Sequence, residues 1–266
     1  MKQPTLFIPH GGGPCFFMDP AGGPPDPMWR GMQDYLAGVI ASLPERPRAI
    51  LLISGHWEEQ NVAVHVGDGQ PLLYDYYGFP EHTYRLQWPA PPAPDVARRA
   101  ATLLGAAGFA TTEETRRGWD HGVFIPMMVA VPDADIPLAQ LSLRRDLDPA
   151  AHIAIGRALA PLRDEGVLIV GSGMSFHNLR ARGVDVTPIA EQWDAALADA
   201  ITDADPEARA ARVACWTDLP HARFAHPREE HLLPLMVALG AGGDDAARRD
   251  YRDTVMGWVV SGFRFG

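Results

Sequence analysis

Apolar and polar residues follow two recurring patterns along this chain, and their order predicts an α/β fold. Unbroken apolar runs mark strands buried on both faces, as at Ala49–Ser54 (Ala-Ile-Leu-Leu-Ile-Ser) and Val167–Ser172 (Val-Leu-Ile-Val-Gly-Ser). Thr5–Pro9 and Ile136–Ser142 read as two further strands. Helical spacing appears over Trp29–Leu43, where Met32, Leu36, Val39, Ile40 and Leu43 share a face until Pro44 stops it. Helices are also expected over Asp95–Gly105, Pro149–Glu165, Ile189–Ala204 and Arg228–Leu239, the last starting near Pro227 and ending at Gly240. Leu72–Pro94, rich in Tyr, Pro and Gly, is expected to be a long ordered loop. Its aromatics either wall a substrate pocket or simply pack an irregular segment. Strands alternating with helices predict a single three-layer α/β/α domain, residues 1–266, around a parallel or mixed central sheet.

Composition narrows the function classes. Hydrophobic residues make up 47% of the 266 and charged residues 21%, enough for a substantial core. A formal net charge of −10 argues against wrapping nucleic acid, which depends on clustered Lys and Arg. Cys15 and Cys215 are the two cysteines and lie far apart, so neither a disulfide framework nor a thiolate zinc site is expected. The first residues lack the apolar core of a signal peptide, and no run approaches the length of a membrane span. The expectation is a soluble, cytoplasmic protein.

Four histidines sit at segment ends, flanked by turn residues: His10, His56, His177 and His231. Open α/β sheets bind ligands beyond the carboxyl ends of their strands, and imidazole is both the commonest metal ligand and the ordinary acid/base group near neutral pH. His10 and His56 each leave a strand beside a glycine, which favours metal ligation by the pair. Two neutral nitrogens hold a divalent ion weakly, so a third ligand is needed. The segment Ala225-His226-Pro227-Arg228-Glu229-Glu230-His231 offers His226, Glu230 and His231, and helical geometry does not choose among them. His177 lies further beyond its strand, an offset suited to a proton-exchanging group across the substrate from the metal. His121, in Gly118-Trp119-Asp120-His121-Gly122, is a second acid/base or substrate-binding candidate, with Asp120 poorly placed to orient it. His65, His82, His152 and His221 lack such settings and read as surface or structural residues. Gly11-Gly12-Gly13 is not followed by Lys-Ser/Thr, so it is no P-loop.

The order of these motifs resembles the class III extradiol ring-cleavage dioxygenases of the LigB superfamily, in particular the 4,5-DOPA extradiol dioxygenase branch. The segments that carry the resemblance are Pro9-His10-Gly11, Ser54-Gly55-His56-Trp57, Tyr77-Gly78-Phe79-Pro80, Trp119-Asp120-His121-Gly122, Pro137–Ser142, Gly171-Ser172-Gly173 with His177-Asn178-Leu179, and His226-Pro227 with Glu230-His231. The resemblance implies that His10, His56 and His231 hold the metal, that His177 is an acid/base and that His121 stands beside the substrate. It further implies Fe(II) as the active metal, with Zn(II) able to occupy the isolated protein. The implied reactants are a small aromatic diol and O2, with a ring-opened semialdehyde as product. A zinc hydrolase using the same ligands and a non-catalytic binding protein are the competing readings. Arg180, Arg182 or Arg228 could meet a substrate carboxylate, and a homo-oligomer is compatible with the sequence.

Overall fold

The runs read as strands form the middle of one eight-stranded sheet in the computed structural model, which describes residues 1–23, 26–69 and 71–266. Its strands are β1 (Thr5–Pro9), β2 (Ala49–Glu59), β3 (Val62–His65), β4 (Thr111–Glu114), β5 (Leu138–Arg144), β6 (Val167–Gly173), β7 (Ala247–Val255) and β8 (Trp258–Phe265), arranged β4-β3-β5-β2-β6-β1-β8-β7. β5, β2, β6 and β1 run parallel, while β3 and β8 flank them antiparallel. The sheet is therefore mixed, and the carboxyl ends of β1, β2 and β6 lie side by side.

The helices are α1 (Pro27–Gly38), α2 (Pro94–Ala106), α3 (His121–Ala130), α4 (Pro149–Leu159), the short α5 (Pro161–Asp164), α6 (Thr187–Ile201), α7 (Pro206–Ala214), the short α8 (Ala222–Ala225) and α9 (Leu233–Gly242). Successive residues of a strand face opposite layers, and β6 shows how tightly both are packed. Ser172 faces α3 and donates a hydrogen bond to the Gly122 carbonyl at 2.5 Å. Gly173 faces the other layer, where a Cβ would lie 2.1 Å from the His231 carbonyl oxygen. Only glycine lets the segment before α9 come this close to the sheet. Among the described residues, no helix is long and apolar enough to cross a membrane.

Several boundaries differ from expectation. α1 starts two residues early, because the Asp26 side chain accepts from the Met28 amide with Pro27 at the first helical position. The stretch expected as one helix to Glu165 is split at Ala160, where Pro161 starts α5. α9 begins at Leu233 rather than Arg228, with Pro234 in its first turn, so Glu230 and His231 lie in a turn ahead of the helix. The helical angle between those two side chains therefore has no bearing on their directions. His56 lies within β2, which extends to Glu59, and not beyond the strand end. Strands β3, β4, β7 and β8 and helices α3, α7 and α8 are additional to the predicted elements.

Candidate metal centre

Three chain segments carry imidazoles to one point. β1 delivers His10 directly after Pro9, β2 carries His56, and the turn before α9 delivers His231. Gly55 permits the third approach: a Cβ there would meet the Glu230 carbonyl oxygen at 3.0 Å and His231 Cα at 3.2 Å. The His56 Nε2 lies 3.3 Å from His10 Nε2 and 3.2 Å from His231 Nε2. Two nitrogens bound to one ion at about 2.0–2.1 Å with tetrahedral angles would stand about 3.3 Å apart.

The outer ring nitrogens show which atoms face inward. Ser172 spends its hydroxyl hydrogen on the Gly122 carbonyl, so it accepts from His10 Nδ1 at 3.2 Å. His10 Nε2 then carries a lone pair. His231 Nδ1 stands 2.9 Å from Glu230 Oε1 and donates to it, which again leaves a lone pair on Nε2. His56 Nδ1 faces Asp75 Oδ2 at 3.6 Å. Burial holds His10, His56 and His231 below the ordinary imidazole range, His56 at about 4, and repulsion from neighbouring imidazoles, His121 and His177 among them, adds to it. Converging neutral nitrogens with inward lone pairs repel one another unless a cation lies between them. This donor set fits a divalent metal ion.

His121 and His177 stand next to this trio. His121, at the start of α3, has its ring centroid 4.0 Å from that of His56. Its Nδ1 and its backbone N–H both donate to Asp75 Oδ1, at 2.8 and 2.9 Å. His177 stacks on His231 with centroids 3.5 Å apart and has Nδ1 3.6 Å from Glu230 Oε1. It is thus closer to the trio than its offset from β6 suggests, because the loop folds back and its N–H bonds to the Ala225 carbonyl. Burial raises the pKa of Glu230, yet hydrogen bonds from His177 and His231 outweigh it and keep the carboxylate ionised. Asp75 behaves alike: burial raises its pKa, and bonding to His121 brings it below the ordinary value.

The other candidates fall elsewhere. Asp120 accepts from Ser54 Oγ at 2.6 Å and Gln140 Nε2 at 2.7 Å, turned away from His121 as expected. His226 is buried against Trp193 and Trp216, with Nε2 donating to the Ser175 carbonyl at 3.0 Å. His65, His82, His152 and His221 each make hydrogen bonds outside the cluster. Asp75 and Ser172 are site residues that sequence reasoning missed. The single acid between Tyr74 and Tyr76, and the serine closing an apolar strand, were the available signals.

His226 also yields a pH prediction. Burial lowers its pKa from 6.5 to about 4. The unfolded chain takes up this proton near pH 6.5 and the folded chain does not until about pH 4, so stability is present above this window and lost as pH falls through it. The loss from this one group is about 3 kcal/mol, and His10, His56 and His231 act in the same direction. The urea midpoint of metal-stripped protein should fall clearly between about pH 7.5 and about pH 5. An unchanged midpoint would contradict neutral burial of these imidazoles.

A cavity of about 640 Å³ opens over the cluster, with all five histidines on its surface. Tyr76, Tyr77 and Phe79 of the long loop form one wall, whereas Trp88 packs on Trp119 and bonds to the Val131 carbonyl. The loop thus divides between the two roles expected for it. Arg182 also lines this cavity, whereas Arg228 is engaged with Glu58 at 2.6 Å through two nitrogens.

Residues 4–260 match the family described as the catalytic LigB subunit of aromatic ring-opening dioxygenase. The chain is 36% identical over 262 residues to a 4,5-DOPA dioxygenase extradiol of Beta vulgaris, covering 97% of this chain and 93% of that protein. It is 32% identical over 244 residues to the Escherichia coli K12 protein of the same name, covering 90% and 85%. The crystal structure of an uncharacterized Escherichia coli K12 protein superposes with a TM-score of 0.80 at 29% identity, covering 100% of both chains. On its matched length and its relatives alike, the chain belongs to the LigB family of aromatic ring-opening dioxygenases.

Proposed function

We propose that this protein is a non-haem, metal-dependent extradiol dioxygenase that opens a catechol-type ring with O2 to give a semialdehyde. The observation that carries the reading is the set of three neutral imidazoles below an aromatic-walled cavity, with His56 Nε2 3.3 Å from His10 Nε2 and 3.2 Å from His231 Nε2. His10, His56 and His231 are the ligands in this reading. Fe(II) is the expected active metal, and Zn(II) can occupy the same ligands in the isolated protein. A bound divalent ion would supply Lewis acidity to the diol oxygens and hold diol and O2 in one place.

The remaining residues handle protons and position. Asp75 accepts a hydrogen bond from His121 Nδ1–H, which holds the proton on that nitrogen, so the His121 Nε2 lone pair is free to receive a hydroxyl proton from the diol. His177, stacked on His231 with Glu230 behind it, exchanges a proton as the ring opens. Tyr76 and Phe79 offer apolar surface to an aromatic ring and help exclude water. Arg182 is the cavity residue suited to a substrate carboxylate, such as that of DOPA, the diol named for several relatives. A zinc hydrolase could use the same ligands, but the family membership weighs against that reading.

Metal reconstitution separates the two. Protein loaded anaerobically with Fe(II) should consume O2 on addition of a catechol, and Zn(II)-loaded protein should not. Oxygen uptake over a catechol panel reads this directly. Ester or amide hydrolysis by the zinc form, with no oxygen uptake by the iron form, would overturn the proposal.

A further inference from the structure

Asp75 touches two of the clustered histidines with different oxygens. The loop that carries it is tied to the segment before α3 through the Leu73 amide, which donates to the Trp119 carbonyl at 2.7 Å. That anchor sets Asp75 over the first turn of α3, where Oδ1 accepts both the amide and the Nδ1 proton of His121. Asp120, in the usual capping position, makes no cap bond, so Asp75 caps the helix from a different loop. Its second oxygen, Oδ2, lies 3.6 Å from His56 Nδ1.

The three inward imidazoles are not equally constrained. His10 and His231 each have a hydrogen-bond partner on Nδ1, at 3.2 and 2.9 Å. The polar group facing His56 Nδ1 is Asp75 alone among the described contacts, at a distance where charge acts but the hydrogen bond is long. Left to itself, His56 could carry its proton on Nε2 and donate it to His10 or His231, which would remove the lone pair that a metal needs. An ionised carboxylate only accepts, so it favours the proton on the outer nitrogen.

We infer that Asp75 is a positioning residue whose two oxygens set the tautomers of two histidines, Oδ1 that of His121 and Oδ2 that of His56. One carboxylate thereby turns one Nε2 lone pair toward a cation and another toward the substrate. The inference rests on the metal-centre reading above. Partners that fix ligand tautomers in this way change metal affinity by about 10–100-fold when removed.

Asp75→Asn separates the two contacts. The amide oxygen can still accept both bonds from His121, but the NH2 group then faces His56 Nδ1 and makes it an acceptor. The variant should bind Zn(II) about 10–100-fold more weakly than wild type, while ¹⁵N spectra of its histidines should still show His121 protonated on Nδ1. Zn(II) affinity within about twofold of a metal-binding wild type would overturn the inference, because the expected loss is at least tenfold. A wild type that binds no divalent ion would overturn the metal-centre reading, and this inference with it. A second measurement needs no variant: in metal-stripped wild type, both His56 and His121 should carry the proton on Nδ1. A proton on Nε2 of either ring would overturn the inference.

Discussion

Replacing His56 by alanine should abolish metal retention and reduce ring cleavage to background. His56 Nε2 is the central atom of the trio, lying within 3.3 Å of both other inward nitrogens. Removing it leaves His10 and His231, whose ring centroids are 5.2 Å apart, and two neutral nitrogens hold a divalent ion weakly. The side chain is also one of several that repel one another at close range, so the metal-free variant should not lose stability in proportion. Metal quantitation after gel filtration, with thermal unfolding of the stripped forms, checks both statements. A folded His56→Ala protein that retained one equivalent of metal would remove His56 from the ligand set.

His177→Gln should produce the complementary result, with turnover falling about 10²–10⁴-fold, the usual contribution of a general acid/base group. Metal content should stay close to that of wild type. The ring stacks on His231 and faces Glu230 from outside the three inward nitrogens, so its removal leaves their separations unchanged. Oxygen uptake and metal quantitation on the same preparation separate the two roles. Metal-free but folded His177→Gln protein would make His177 a ligand, and proton transfer would pass to His121, whose Nδ1 already bonds to Asp75.

The parts of this arrangement that were legible in the sequence are those with a local signature. Ala49–Ser54 and Val167–Ser172 are apolar without interruption because helices cover both faces of β2 and β6, α3 on one side and α9 on the other. Gly55 and Gly173 read as punctuation, yet their function is close approach by the 230–231 segment, which no local pattern reveals. The choice among His226, Glu230 and His231 was illegible for the same reason. It depends on α9 starting at Leu233, after a turn that directs His231 inward and leaves His226 between two tryptophans. Asp75 was hidden because it lies in a loop and its partners are 46 residues ahead in His121 and back on strand β2 in His56. Strand β4 is short and lies at the sheet edge, and Thr111–Glu114 carries no apolar alternation from which to predict it.

The central claim, that this metal centre opens an aromatic ring by inserting both atoms of O2, is tested most directly by isotope labelling. Fe(II)-reconstituted protein, a catechol and ¹⁸O2 should give a ring-opened semialdehyde carrying two labelled oxygens, allowing for aldehyde exchange with water. A product with no label, or an intact ring after oxygen has been consumed, would contradict the account.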